Sequence, residues 1–286
     1  MKGIILAGGS GTRLYPLTIS ISKQLLPVYD KPMIYYPLSV LMQAGIKDIL
    51  IISTPEDTPR MKKSLGKGDN FGINISYSVQ EFPGGIAQSF IIGENFIDNS
   101  SVCMILGDNI FHGAQLESKL RKASALEKGA IIFGYHVSDP ERYGVIDFDD
   151  IGNVRSIIEK PKKYVSNHAV TGLYFYDSTV VEKAKNIKPS DRGELEITDI
   201  QNLYLAEQNL QVEILDRGTA WLDAGTFDSL MDAAQYVQVV EKRQGSKIAC
   251  LEEIALRNQW ISKESIQNSI GSGYNNSYSE YLRRLV

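Results

Sequence analysis

Ile4-Ile5-Leu6-Ala7-Gly8-Gly9-Ser10-Gly11-Thr12-Arg13-Leu14 is the stretch that decides the fold. Its apolar start reads as a buried strand, and the glycines that follow read as a loop of bare backbone N–H groups at the strand's carboxyl edge. Ligands of open α/β sheets bind at that edge, and phosphates suit exposed N–H groups. The spacing then narrows the choice. A dinucleotide-binding loop would need glycine or alanine where Leu14 stands, and no Gly-Lys-Ser/Thr closes the stretch as in a P-loop. What the loop does carry is positive charge: Arg13, with Lys23 in Ser22-Lys23-Gln24-Leu25-Leu26-Pro27 downstream, can meet the charge of a triphosphate.

Outward from the loop, short β-rich runs alternate with helical periodicity. Strand residues 3–6 precede an amphipathic stretch at 34–44, a strand at 48–53 and a polar segment running to Leu65. This order signals βαβ units. Further strands are expected at 75–79, 102–106, 130–136, 144–148, 154–159, 169–176 and 211–215, with a more antiparallel middle. From about Asp228 the pattern turns helical, and Gly271, Gly273 and Asn275 precede a last helical run at 278–285. The fold class is therefore α/β: a Rossmann-like mixed, mostly parallel central sheet flanked by helices, with a small C-terminal helical appendage. The expected division is a core of residues 1–227 and a helical region of residues 228–286.

The 286 residues carry 22% charged and 43% apolar side chains and a net charge of -4, which gives polyanion binding no general support, so nucleic acid is not an expected partner. Two cysteines, Cys103 and Cys250, form no CxxC pair and with three histidines suggest no metal cluster; both read as buried or inert thiols. Leader-like features and long apolar spans are missing, so a cytoplasmic protein without membrane attachment is expected.

Two acids stand out. The apolar run 102–106 ends in Gly107-Asp108-Asn109, which puts the Asp108 carboxylate at the ligand-binding edge of the sheet. Asp223, in Trp221-Leu222-Asp223-Ala224-Gly225-Thr226, lies between apolar residues and a glycine turn, where an unpaired charge would be costly without a cation. Gln80-Glu81-Phe82-Pro83-Gly84-Gly85 follows a strand; its glycines allow backbone to approach a planar base, and the Gln80 amide can both donate and accept.

At these residues the sequence resembles the sugar nucleotidylyltransferases. Residues 8–14 with Lys23-Gln24-Leu25-Leu26-Pro27-Val28 look like the family signature, and Tyr29-Asp30-Lys31-Pro32-Met33-Ile34-Tyr35-Tyr36-Pro37 narrows the likeness to its glucose-1-phosphate thymidylyltransferase branch. Matching blocks continue through Asp228. The resemblance implies that dTTP and glucose 1-phosphate give dTDP-glucose and pyrophosphate, with Mg²⁺ shared by Asp108 and Asp223. It implies nucleotide contacts from Leu6, Gly8, Gly9, Gly11, Thr12, Arg13, Gln24, Gln80, Pro83, Gly85 and Asp108. Tyr143, Gly144, Glu159, Lys160, Val170 and Thr171 would line the hexose site, and Arg13, Lys23, Lys160 and Arg192 would supply catalytic cations. Ile86 and Ser89 depart from the leucine and alanine expected there, which leaves thymine against uracil open. Also implied are a homotetramer and inhibition by dTDP-rhamnose, with the C-terminal Trp260, Tyr278 and Tyr281 serving an interface or regulatory site. The rival readings are a uridylyl-, cytidylyl- or adenylyltransferase on the same sugar phosphate, a non-catalytic nucleotide-sugar sensor, and a nicotinamide oxidoreductase, which the glycine spacing opposes.

Overall fold

The computed structural model describes residues 1–9, 11–270 and 275–286; Ser10, Gly271 and Gly273 lie outside the described residues. Its centre is one mixed sheet whose strands run in the order Val154–Glu159, Gly144–Phe148, His168–Tyr176, Val102–Leu106, Lys2–Ala7, Asp48–Ser53 and Asn74–Val79. Ala130–His136 pairs with His168–Tyr176 and carries Leu210–Ile214 beside it. Pairing is parallel from Val102–Leu106 through Asn74–Val79. It turns antiparallel from Val102–Leu106 through His168–Tyr176 to Val154–Glu159. The expected strands are all present, and the mixed character falls in the middle of the chain as the turn-rich sequence predicts.

Both faces of the sheet are covered, which is why its central strands read as unbroken apolar runs instead of alternating ones. Ile5, Ile49, Ile51, Cys103 and Ile105 turn to one side, where Leu38, Leu120 and Leu251 close over them. Ile4, Leu50, Ile52, Val102 and Met104 turn to the other, against Phe90, Val181 and Ile200. Each large side chain so buried contributes roughly 1.5–3 kcal/mol relative to exposure. Both cysteines are buried without a disulfide; burial pushes the Cys103 thiol up, and Cys250 up to about 12.

Register sets the site. Leu6 lies opposite both Ile52 and Leu106, and Ser53 opposite Val79, so Gly8, Gly107-Asp108 and Gln80 leave the sheet at one edge. Two small ladders escape a reading by sequence pattern. Asn109–His112 pairs antiparallel with Ala220–Asp223, and Pro27–Val28 pairs with Lys31–Pro32. The first ladder matters most, because it seats Asp223 directly opposite Asn109.

The helix Phe227–Gln244 starts on a Thr226/Ser229 capping box and ends where Gly245 takes φ 68°. Its Ala233 and Val237 pack on Val28, Met33 and Tyr36. Below that contact lies a buried ion network. Glu241, 4% exposed, accepts from Lys31 at 2.9 Å, from Lys247 at 2.8 Å and from the Ile248 N–H at 2.9 Å. Asp30 takes the same two lysines. Burial opposes the Asp30 charge, but Lys247 and Lys31 overcome it and hold its pKa below the ordinary value. The terminal aromatics make local contacts: Lys47 sits over Trp260, and the Tyr278 and Tyr281 hydroxyls donate to Glu252 and Glu253 at 2.6 and 2.8 Å. No described helix is long and apolar enough to cross a membrane.

Because Glu241 is the more deeply buried of the two anions that both lysines share, Glu241→Gln should lower stability by about 3 kcal/mol, the cost of leaving buried charge uncompensated. Urea unfolding with fluorescence detection measures it; an unchanged midpoint would show that Asp30 alone suffices.

Candidate active site

A cleft of about 450 Å³ opens at the sheet edge described above. Asp108 enters it from the turn after Val102–Leu106, and Asp223 from the end of Ala220–Asp223. The Ala224 N–H donates to the Asp108 carbonyl at 3.1 Å, so the two acids come from backbones bonded to each other. Each carboxylate has a cation. Lys23 pairs with Asp108, and the Arg142 guanidinium donates to Asp223 at 2.9 Å. Burial opposes ionisation of Asp108, yet the Lys23 charge and the Asn109 amide, 3.0 Å away, leave its pKa below the ordinary value of 3.8. Asp223 goes the other way: burial and the neighbouring Asp108 charge outweigh Arg142 and raise it.

Asn109 is the local keystone. Its Oδ1 accepts from the Gly172 N–H at 3.1 Å and from the Trp221 indole at 2.7 Å, which ties His168–Tyr176 and Ala220–Asp223 to the Asp108 turn. Trp221 in turn packs on the Tyr143 ring with centroids 5.1 Å apart, and the Arg142 guanidinium lies 5.2 Å from the centroid of that same Tyr143 ring. Arg13 also lines the cleft, close to Gly225: a Cβ on that glycine would meet its guanidinium at 3.3 Å.

On the flank stand Tyr143, Gly144, Glu159, Lys160 and Val170. Burial raises the Glu159 pKa above its ordinary 4.5 despite Lys160 alongside, since Glu196 adds like charge. Lys160 holds a left-handed backbone, φ 40°, its N–H on the Tyr143 carbonyl at 3.0 Å. A non-glycine residue there costs about 1–3 kcal/mol and is held by its surroundings. Arg192 grips Glu196 with two bonds of 2.9 Å and reaches Glu159 at 3.3 Å, at the rim of this group.

The base-reading candidates gather beside the glycine loop. Gln80, 5% exposed, donates to Gln88 at 2.7 Å, and its Oε1 faces Gly8 so closely that a Cβ there would sit 2.1 Å from it. Gly85 has φ 100° and would drive a Cβ to 2.4 Å from the Leu195 carbonyl. Only glycine fits at 85, whereas a side chain at 8 would have to push the Gln80 amide aside. Gln24 is buried, accepting from the Ser22 hydroxyl at 2.8 Å, and packs under Gly107. Leu6 lies near the end of the strand Lys2–Ala7 that feeds the loop, Gly9, Gly11 and Thr12 follow it, Gly11 at φ 62°, and Pro83 is exposed on the turn before Gly85.

One expectation needs correction. Val170, Gly172 and Tyr174 line the cleft with the two-residue period of a strand, which turns Thr171 to the opposite, fully buried face. Missed by the sequence reading were Arg142, which directly precedes the Tyr143-Gly144 block, and a set on the helix Ile197–Ala206: Ile197, Thr198 and Gln201. At helical spacing these look like core.

Relatives match the chain along its whole length. The nucleotidyl transferase family model matches residues 2–239. A glucose-1-phosphate thymidylyltransferase of Neisseria meningitidis is 58% identical over 286 residues, covering 100% of this chain and 99% of that protein. One of Mycobacterium tuberculosis is 54% identical over 99% of this chain and 100% of its own. A solved Bacillus anthracis structure, provisionally assigned as a glucose-1-phosphate thymidylyltransferase and bound to sucrose, superposes with TM-score 0.77 at 44% identity, covering 82% of this chain and 94% of that one. Fold, sequence and cleft agree that the chain belongs to the nucleotidyl transferase family, among its glucose-1-phosphate thymidylyltransferases.

Proposed function

We propose that this cleft joins glucose 1-phosphate to dTTP, giving dTDP-glucose and pyrophosphate. The observation that carries the reading is the meeting of Asp108, in the turn just before the strand Asn109–His112, with Asp223, at the end of its partner strand, at a cleft ringed by Arg13, Lys160 and Arg142. A phosphate oxygen of the sugar phosphate bonds to the α-phosphorus, and the bond from that phosphorus to the departing pyrophosphate breaks in line. The nucleophile is already anionic at neutral pH, so no proton acceptor is needed and catalysis rests on alignment and charge neutralisation.

The family resemblance gives each residue its role. Arg13 and Lys23 meet the triphosphate, Lys160 and Arg192 the sugar phosphate, and Glu159 accepts from ring hydroxyls. Gln80 and Gly85 hold the base, with Gln24 beneath. Asp108 and Asp223 are hard oxygen donors and fit a divalent cation; among the described residues no larger group of metal-ligating side chains exists, so phosphate oxygens would complete the shell. Mg²⁺ bound there would neutralise charge at the reacting phosphate. In the free protein Lys23 and Arg142 keep the two acids compensated. The same reading assigns residues 228–286 to a homotetramer interface or to feedback by dTDP-rhamnose, in a cytoplasmic enzyme.

Pyrophosphate release measured with glucose 1-phosphate and each of dTTP, UTP, CTP and ATP should be greatest with dTTP, with UTP second. A methyl is worth only about 1–3 kcal/mol in a pocket, so the margin over UTP should be modest. Preference for CTP or ATP would overturn the base assignment. Asp108→Asn should cut kcat at least about a hundred-fold while circular dichroism stays native, the scale expected for losing an electrostatic group at the transition state; wild-type turnover would remove Asp108 from the chemistry. The raised Glu159 pKa adds a third expectation. As pH falls toward it, the carboxylate that accepts from the sugar is lost, so KM for glucose 1-phosphate should begin to climb with falling pH while the pH is still higher than the ordinary carboxyl value of 4.5. That acidic limb should be missing in Glu159→Gln, where only titration of the sugar phosphate remains.

A further inference from the structure

The floor of the cleft holds a side chain with nothing to do in the free protein. Gln201 is 0% exposed and lines the cleft, yet among the described residues neither its amide nitrogen nor its oxygen has a hydrogen-bond partner. The Tyr176 hydroxyl is buried close enough to the amide to be influenced by it, yet the two do not meet in the geometry of a hydrogen bond. A buried amide left unpaired costs stability that leucine at the same position would not. Its position is not adjustable. The next residue, Asn202, donates to the Ile157 carbonyl at 2.8 Å and accepts from the Ile157 N–H at 3.0 Å, clamping the helix Ile197–Ala206 to the strand that ends at Glu159. Thr198, one turn earlier on the same face, approaches Gly144, where a Cβ would meet its methyl at 2.9 Å.

The cleft is polarised along its depth. Charge sits at the mouth, where the side chains of Arg142 and Lys160 are 38% and 48% exposed. At the floor Tyr174, Ile197 and Thr198 are 3%, 4% and 3% exposed, and Gln201 is the polar end of that surface. A sugar 1-phosphate entering with its phosphate toward the cations turns the opposite side of its ring, with the C4 and C6 hydroxyls, to the floor. We propose that Gln201 is a specificity-determining residue whose amide hydrogen-bonds a hydroxyl on the side of the hexose remote from C1. The inference rests on the reading of this cleft as a hexose 1-phosphate site.

The test compares wild type with Gln201→Leu on glucose 1-phosphate, 4-deoxyglucose 1-phosphate and 6-deoxyglucose 1-phosphate at saturating dTTP. Wild type should favour glucose 1-phosphate over one of the deoxy sugars by roughly ten-fold or more in kcat/KM, since a buried group is stranded when that hydroxyl is missing. Gln201→Leu should lose that factor on glucose 1-phosphate alone and leave the same deoxy sugar unaffected. Its melting temperature should equal or exceed that of wild type, because no bond within the chain is lost. An equal loss on all three sugars, or no loss, would overturn the proposal. So would a clear fall in melting temperature, which would mean that Gln201 and Tyr176 satisfy each other and the amide is structural; Gln201→Met, similar in length, repeats the measurement, and failure of both variants to fold overturns it equally. If wild type forms no sugar nucleotide from glucose 1-phosphate, the reading of the cleft itself fails and takes this inference with it.

Discussion

Two carboxylates held side by side where like charges repel is the constraint around which this protein is arranged. Asp108 and Asp223 come from backbones joined by the Ala224 N–H to Asp108 carbonyl bond at the end of a short ladder, and burial adds to their mutual repulsion. Such a pair persists only if cations are supplied. Lys23 arrives from the segment after the glycine loop and Arg142 from the turn before Tyr143, so four separate stretches must be in register before the charges balance. The asymmetry of the outcome, one carboxyl lowered and the other raised, follows from how closely each is paired.

The same requirement explains the sheet. Parallel strands 2–7, 48–53, 74–79 and 102–106 deliver loops to one edge, and the antiparallel His168–Tyr176 brings Val170 and Gly172 back to it. Asn109 locks these together with bonds to Gly172 and Trp221. Losing the Asn109 amide would strand the Gly172 N–H and the Trp221 indole N–H, which share its oxygen, and would remove the donor that its nitrogen offers Asp108.

Much of this was legible in the sequence, and the limits have physical causes. Central strands buried on both faces are continuous apolar runs, so 48–53, 102–106 and 130–136 could be bounded from composition alone. The ladder Asn109–His112 with Ala220–Asp223 could not, because four-residue strands far apart in sequence carry no periodicity and gain their stability from tertiary pairing. Asp108 and Asp223 were readable as singular acids, yet their cation partners were not. Arg142 reads as an ordinary loop cation until Asp223 is seen 2.9 Å away. Thr171 shows the converse error: a block match names a residue but not the face on which a strand presents it. Thr198 and Gln201 hid because the i, i+3 spacing of a cleft floor is the spacing of a core.

The helix Phe227–Gln244 bears on the site from outside the cleft, through the segment that carries Lys23. The Pro27–Val28 and Lys31–Pro32 ladder follows Lys23 and Gln24 directly, and the N–H groups of Met33 and Ile34 return to the carbonyls of Leu26 and Gln24 at 2.9 and 2.8 Å. That compact unit cannot shift without carrying Lys23 with it. Its outer end is fixed by Asp30 and Lys31 to Glu241 and Lys247, in a network so buried that salt has little access. Buried ion networks add little net stability over apolar packing, and their directional bonds tolerate fewer alternative arrangements. Here that selectivity acts on distance: the helix holds the hairpin, the hairpin holds the turn bearing Lys23, and Lys23 sets the charge felt by Asp108. Alignment at the sheet edge is thus maintained from outside the sheet.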